Sequence, residues 1–263
     1  MARVFKRTKV SEKPLAGQRI GDYGLIGDCE TAALVGLNGS IDWLCWPDFQ
    51  SGACFAALLG TTDHGYWKIA PVGKVKATKR RYLPDTMIVE TTFETSSGTA
   101  VMVDFMPPRG EYSDVVRIVR CTEGKLAMCM ELAIRFDYGK TIPWVTHFEG
   151  GMRAISGGDM VVLRTGVKLE GEHMQTVSPF TLKEGEEATF TLTYKPAIGK
   201  DGNEQITDPK AIDAHAACGP IRLWPYDSLG AALRRRDAGD LRAGYGGAPY
   251  GGEARWRGHG DGR

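Results

Sequence analysis

The chain has 263 residues, 42% of them hydrophobic and 25% charged, with a formal net charge of +1. That balance belongs to a globular protein long enough to bury a core, and it supplies no global attraction to nucleic acid. No stretch approaches the roughly 18 consecutive apolar residues of a membrane span. Residues 1–13 are basic and polar, without the apolar run of a secretory leader, so a cytoplasmic protein with no membrane contact is expected.

A basic extension (1–19) precedes the first patterned segments, which read as strands at 25–26, 32–37 and 41–46. Asn38-Gly39 between the last two predicts a tight hairpin with both central residues at positive φ. A short helix is expected over 53–59, capped by Asp48 or Ser51, and a strand over 66–70. In 87–94, Met87, Val89, Thr91 and Phe93 alternate with Ile88, Glu90, Thr92 and Glu94, a period of two that places alternate side chains on one face of a strand. Ser96-Ser97-Gly98 turns the chain into 99–105, apolar on both faces and therefore central, which stops at Pro107-Pro108.

Strands follow at 115–121, 126–134, 152–155, 160–164, 174–177 and 188–194, with turns at Glu123-Gly124, Gly157-Gly158-Asp159 and Glu184-Gly185-Glu186. Many short alternating strands separated by polar turns define an all-β antiparallel sandwich, here a large one with short helical insertions. Beyond Asp213 large aliphatic residues nearly vanish and glycine, arginine and alanine dominate. Residues 214–263 are expected to be a disordered tail, because such a composition buries too little to offset its ordering entropy. Out-of-frame translation of high-GC coding sequence is the preferred origin for it, ahead of a solvated tail or an RNA-binding segment.

Six cysteines occur (Cys29, Cys45, Cys54, Cys121, Cys129, Cys218), none in a C-x-x-C pair and none with a histidine at zinc-site spacing. Buried, reduced thiols are expected, with no metal and no cofactor.

The stretch 20–60 includes I-G-D-Y-G-L-I-G-D-C-E, N-G-S-I-D-W-L-C-W-P-D-F-Q-S-G and A-C-F-A-A-L-L-G, and it resembles the opening motif of the family 15 glycoside hydrolases of bacteria and archaea, the trehalase and glucoamylase-like group. The resemblance continues through Arg81-Tyr82-Leu83-Pro84-Asp85-Thr86, Val103-Asp104-Phe105-Met106-Pro107, Arg117-Ile118-Val119-Arg120 and Arg135-Phe136-Asp137-Tyr138-Gly139, covering residues 20–213 in collinear order. Gln50 departs from it, standing where the family more usually has Asp before Ser51. The resemblance implies an N-terminal β-sandwich followed by an (α/α)6 barrel, whose glutamates invert an α-glucosidic centre: one carboxylic acid protonates the leaving oxygen while a carboxylate activates water. Too few residues follow Asp213 for that barrel, so no catalytic residue is carried over, and the chain is expected to be truncated and inactive alone.

Within the sandwich, Asp42, Trp43, Trp46 and Asp48 form the candidate sugar-binding set, since aromatic faces stack on pyranose C–H surfaces and carboxylates bind hydroxyl pairs. Against this stands packing: the tryptophans as core or interdomain contacts, and Asp42 as a partner for amides near the hairpin. Arg117, Arg120 and Arg135 are expected on solvated strand faces or facing the barrel, and Trp144 packed on the sandwich. The expected partners are the barrel, an α-glucoside, and a second copy meeting an exposed docking face. A stand-alone α-glucan or trehalose-binding module is the alternative, and an arginine-rich tail binding an acidic partner ranks last.

Overall fold

The computed structural model describes residues 18–197; the extension, the boundary near Asp213 and the tail 214–263 lie outside the described residues. A 3-10 turn at Ile20–Asp22 leads into β1 (Tyr23–Gly27), β2 (Ala32–Gly36), β3 (Ser40–Cys45), β4 (Ala53–Phe55) and β5 (Tyr66–Pro71). Then come β6 (Ala77–Tyr82), β7 (Val89–Glu94), β8 (Gly98–Phe105), β9 (Ser113–Ala133) and β10 (Trp144–Phe148). The chain closes with β11 (Gly151–Ser156), β12 (Asp159–Thr165), β13 (Glu170–Glu172), β14 (Gln175–Lys183) and β15 (Glu187–Pro196). Every strand pairing is antiparallel, as the alternating pattern predicts.

Two layers emerge, in the orders β1-β2-β3-β5-β9-β14-β13 (with β4 beside β3) and β6-β7-β8-β9-β15-β12-β11-β10. Strand β9 belongs to both. Its first part pairs with β8 and β15, from Ser113 opposite Tyr194 to Gly124 opposite Gly98. Its second part pairs with β14 and β5, from Lys125 opposite Lys183 to Ala133 opposite Tyr66. Val115, Val119 and Cys121 face the core before the corner; Leu126, Met128, Met130 and Leu132 face it after. The inward parity therefore slips by one residue at the corner, which keeps the apolar side chains inside as the strand changes sheet. Gly124 takes φ +72 there, and a Cβ on it would strike the Ser97 carbonyl. The turn read at Glu123-Gly124 is thus a corner within one long strand.

The hairpin at Asn38-Gly39 forms, with a different turn. Gly39 N–H donates to Gly36 O at 3.0 Å, Asn38 Oδ1 accepts from Ser40 N at 3.0 Å, and only Gly39 has positive φ, +78. The expected helix over 53–59 is absent. Leu44 pairs with Phe55 and Cys45 with Ala53, and Ala53, Cys54 and Phe55 are all buried. An all-apolar segment of that length finds burial as a strand beside β3, leaving one 3-10 turn at Ala57–Leu59. Strand β6 carries no apolar alternation and escapes a sequence reading; it is a charged sheet edge, where Lys79 and Arg81 pair with Glu94 and Glu90. Cys45, Cys54 and Cys121 are buried as expected, whereas Cys29 is exposed in a turn.

The arginines divide. Arg120 is exposed beside Glu187 at 2.9 Å, but Arg117 is fully buried, contrary to its expected place on a solvated face. Its Nε donates to Asp104 Oδ1 at 2.8 Å on the neighbouring strand. Its Nη1 and Nη2 cross the core to Trp67 O (2.7 Å) and Gly39 O (2.8 Å) in the other layer, and the guanidinium lies 5.0 Å from the centroid of the Trp67 ring. Every nitrogen of the fork is used, which meets the buried cation in full, while Asp104 Oδ2 has no hydrogen-bond partner among the described residues. Removing one member leaves an unpaired charge inside. We expect Arg117→Met to lose about 3–5 kcal/mol in urea unfolding, and Arg117→Met with Asp104→Leu to recover most of it.

Candidate functional site

Strand β3 ends in Cys45, and the chain then makes a loop, 46–52, at one end of the sandwich. Trp46 is buried in it. Its indole Nε1 donates to Ser113 Oγ at 2.9 Å, and that hydroxyl donates to Asp28 Oδ2 at 2.6 Å. Asp28 also accepts from Arg109 Nε at 2.7 Å and from the amides of Thr31 (2.8 Å) and Glu30 (3.0 Å). Arg109 Nη2 returns to Pro47 O, closing the network on the loop it supports. Burial alone would raise the Asp28 carboxyl; the hydrogen bonds from Arg109, Ser113, Thr31 and Glu30 together outweigh it and hold its pKa below the ordinary 3.8.

On its other side Trp46 meets Tyr194, the ring centroids 6.0 Å apart, and Tyr194 donates to Asp159 Oδ1 at 2.6 Å. Burial and the Asp159 carboxylate raise the Tyr194 phenol above its usual value. Trp46, Pro47, Ser51 and Gly52 line a polar cavity of about 390 Å³ with Phe136, Asp137, Thr141, Ser156 and Asp159. Asp48 is half-buried and accepts from Ser51 Oγ at 2.7 Å, shaping the turn that carries Ser51 to this wall. Trp43 packs on Tyr138 at 6.1 Å, beside Asp137. Asp42 stands apart: it is buried, and its carboxylate accepts from Tyr23 O–H at 2.7 Å and from Ser40 Oγ. Of the four residues named from the sequence, the structure brings Trp46 and the Asp48 turn to one cavity and Trp43 to its neighbourhood. It engages Asp42 elsewhere.

The sequence reading passed over Asp137, Thr141, Ser156 and Asp159. Asp137 and Tyr138 both adopt left-handed φ, +50 and +58, a costly backbone that aims the 136–141 loop at the cavity. Among the described residues no three of His, Cys, Asp and Glu gather as a metal centre would need. Beside the cavity runs a second, mostly apolar groove of about 340 Å³, between the end of β9, the 142–147 segment and the β13–β14 hairpin. Its surroundings are exposed: Trp144, expected to pack on the sandwich, is 80% exposed and Met174 is 72% exposed, with Ile142 and Val145 also open. The last described residue lies next to the polar cavity: Ala197 N–H donates to Gly158 O at 2.8 Å, one residue from Asp159 of its wall.

The sequence matches the trehalase-like N-terminal family over residues 13–189, and the chain is a member of that family. It is 32% identical over 217 residues to a trehalase of Mycolicibacterium smegmatis, covering 72% of this chain and 32% of that protein. A trehalase of Mycobacterium tuberculosis is 27% identical over 203 residues (66% of this chain, 30% of the relative). Trehalase 1 of Sulfolobus acidocaldarius is 34% identical over 134 residues (51% and 22%). The matched region amounts to about a third of the mycobacterial relatives' length. The resemblance to family 15 glycoside hydrolases agrees with these matches.

Because the folded-state pKa of Asp28 lies below its unfolded value, its contribution to stability is complete above roughly pH 4 and is lost as pH falls through the folded value. Asp28→Asn is expected to cost about 1–3 kcal/mol at pH 7 and to flatten the fall in urea midpoint below roughly pH 4. Urea titrations of both proteins from pH 7 to pH 2.5 measure it.

Proposed function

We propose that this chain carries the accessory N-terminal domain of a family 15 α-glucosidic hydrolase of trehalase type, working against a catalytic (α/α)6 barrel in the cytoplasm. One observation carries the reading: the 138–145 and 172–176 segments hold Ile142, Trp144, Val145 and Met174 open to solvent around one apolar groove. A patch of that kind marks a surface built to be covered. The acid and base of the hydrolysis reside, on this reading, in the barrel. The domain alone is therefore truncated with respect to chemistry, whether the parent acts on trehalose or on glucoamylase substrates. The purified 263-residue chain should release no glucose from trehalose, maltose or dextrin above a mock preparation. Glucose release that copurifies with the chain overturns the reading.

Uncovered, the same patch should meet a second copy. Sedimentation velocity is expected to show concentration-dependent self-association that Ile142→Glu and Met174→Glu each weaken at least tenfold. A second reading, a binding module for α-glucosides, draws on the polar cavity, where Asp137, Asp159 and three hydroxyl residues surround space for a sugar ring. Calorimetry with trehalose should then give heat that Asp137→Asn removes.

A further inference from the structure

Two buried arginines of this domain differ in how their charge is met. Arg117 spends its fork on Asp104, Trp67 O and Gly39 O. Arg135 is 8% exposed, yet no carboxylate among the described residues lies within ion-pair reach of it. Its Nη1 donates to Ile134 O at 2.8 Å and Met174 O at 3.1 Å. Its Nε and Nη2 have no hydrogen-bond acceptor among the described residues, and neither nitrogen is sealed from solvent. Asp63 raises the Arg135 pKa only from a distance, and burial, the larger effect, lowers it.

The side chain forms part of the wall of the apolar groove of about 340 Å³, with Leu132, Ile134, Ile142, Val145 and Met152 nearby in that wall. Nε and Nη2 are open to this apolar-walled groove and are hydrated while it is empty; a carboxylate that enters it replaces that water with charge-assisted hydrogen bonds strengthened by the apolar surroundings. The fork geometry of Nε and Nη2 matches the two oxygens of one carboxylate. Glu172 stands at the groove's mouth but is 54% exposed and turned to His173, at 3.8 Å.

We propose that this groove is an anion-anchored docking site for polypeptide: it takes a Glu or Asp side chain flanked by an apolar residue, the carboxylate seated on Arg135 Nε and Nη2. The inference rests on the reading that another polypeptide segment covers this end of the sandwich, and it names the chemistry that segment must bring. Charge complementarity selects the acidic side chain, and the apolar walls select its neighbour.

The test uses the full chain, labelled with nitrogen-15, and two probe peptides, acetyl-Phe-Glu-Leu-amide and acetyl-Phe-Gln-Leu-amide. Amide shifts of Leu132, Gly171, His173 and Gln175 are expected on titration with the Glu peptide, and the Gln peptide should bind about tenfold to a hundredfold more weakly, the worth of a charge-assisted hydrogen bond. Arg135→Gln should abolish the preference for Glu. Since Arg135 also holds two carbonyls, Met174→Asp serves as the second variant: it sets a competing carboxylate at the mouth while leaving Arg135 in place, and should weaken the Glu peptide at least fivefold. Equal binding of the two peptides, or groove amides that do not respond to the Glu peptide, overturns the proposal. If that happens while Ile142→Glu still weakens self-association, the anion anchor fails and the covered face stands; if self-association is also unaffected, both fail.

Discussion

The bridge from Arg117 to Asp104, Trp67 and Gly39 is the constraint around which the two layers are arranged. A guanidinium in the middle of a sandwich has no solvent to fall back on, so its partners must be supplied at fixed positions. Asp104 comes from the adjacent strand of its own layer, while the carbonyls of Trp67 and Gly39 come from the opposite layer. Any slip of β5 or of the β2–β3 hairpin against β9 would strand the charge. Apolar packing already resists such slips, since one residue of slip turns the buried face outward; the buried charge adds a second, directional constraint on the same register.

The rest of the molecule divides by ends. At one end the corner of β9 meets the β7–β8 and β14–β15 turns through backbone hydrogen bonds, Lys125 N–H to Ser97 O at 3.0 Å and Glu184 N–H to Gly124 O at 2.9 Å. At the other, long loops carry the polar cavity and the apolar groove. The Asp28–Ser113–Trp46 network belongs to the second end, where it gives loop residues partners that strand pairing would otherwise have provided.

Alternation made most of the fold legible. Val89, Thr91 and Phe93 announced β7, and Phe190, Leu192 and Tyr194 announced β15, because one buried face imposes period two on the sequence. What escaped was whatever the pattern does not encode. Strand β6 is charged because edge strands need no apolar face, and 53–59 looks helical only until β3 offers it a pairing partner. The burial of Arg117 is invisible because a charge inside a strand reads as a solvated face unless its partners are known. In the candidate site, Trp46 was legible as an aromatic at a hairpin end. Asp137 and Asp159 were not, since 22 residues of sequence separate two side chains that only the folded loops bring to one cavity.

The position of β15 has a consequence for how the domain can be made. It is the last strand of the described chain, yet it lies inside its layer, between β9 and β12. The β10–β11–β12 meander therefore has no attachment to the rest of its layer until residues 187–196 arrive. Synthesis from the N-terminus delivers that clasp last, so during translation a complete half-sheet waits with its inner edge unpaired. Closure depends on contacts far apart along the chain, which slows it. The domain can be joined at its end far more readily than it can be shortened there: a chain stopped before β15 would lose the meander along with the strand.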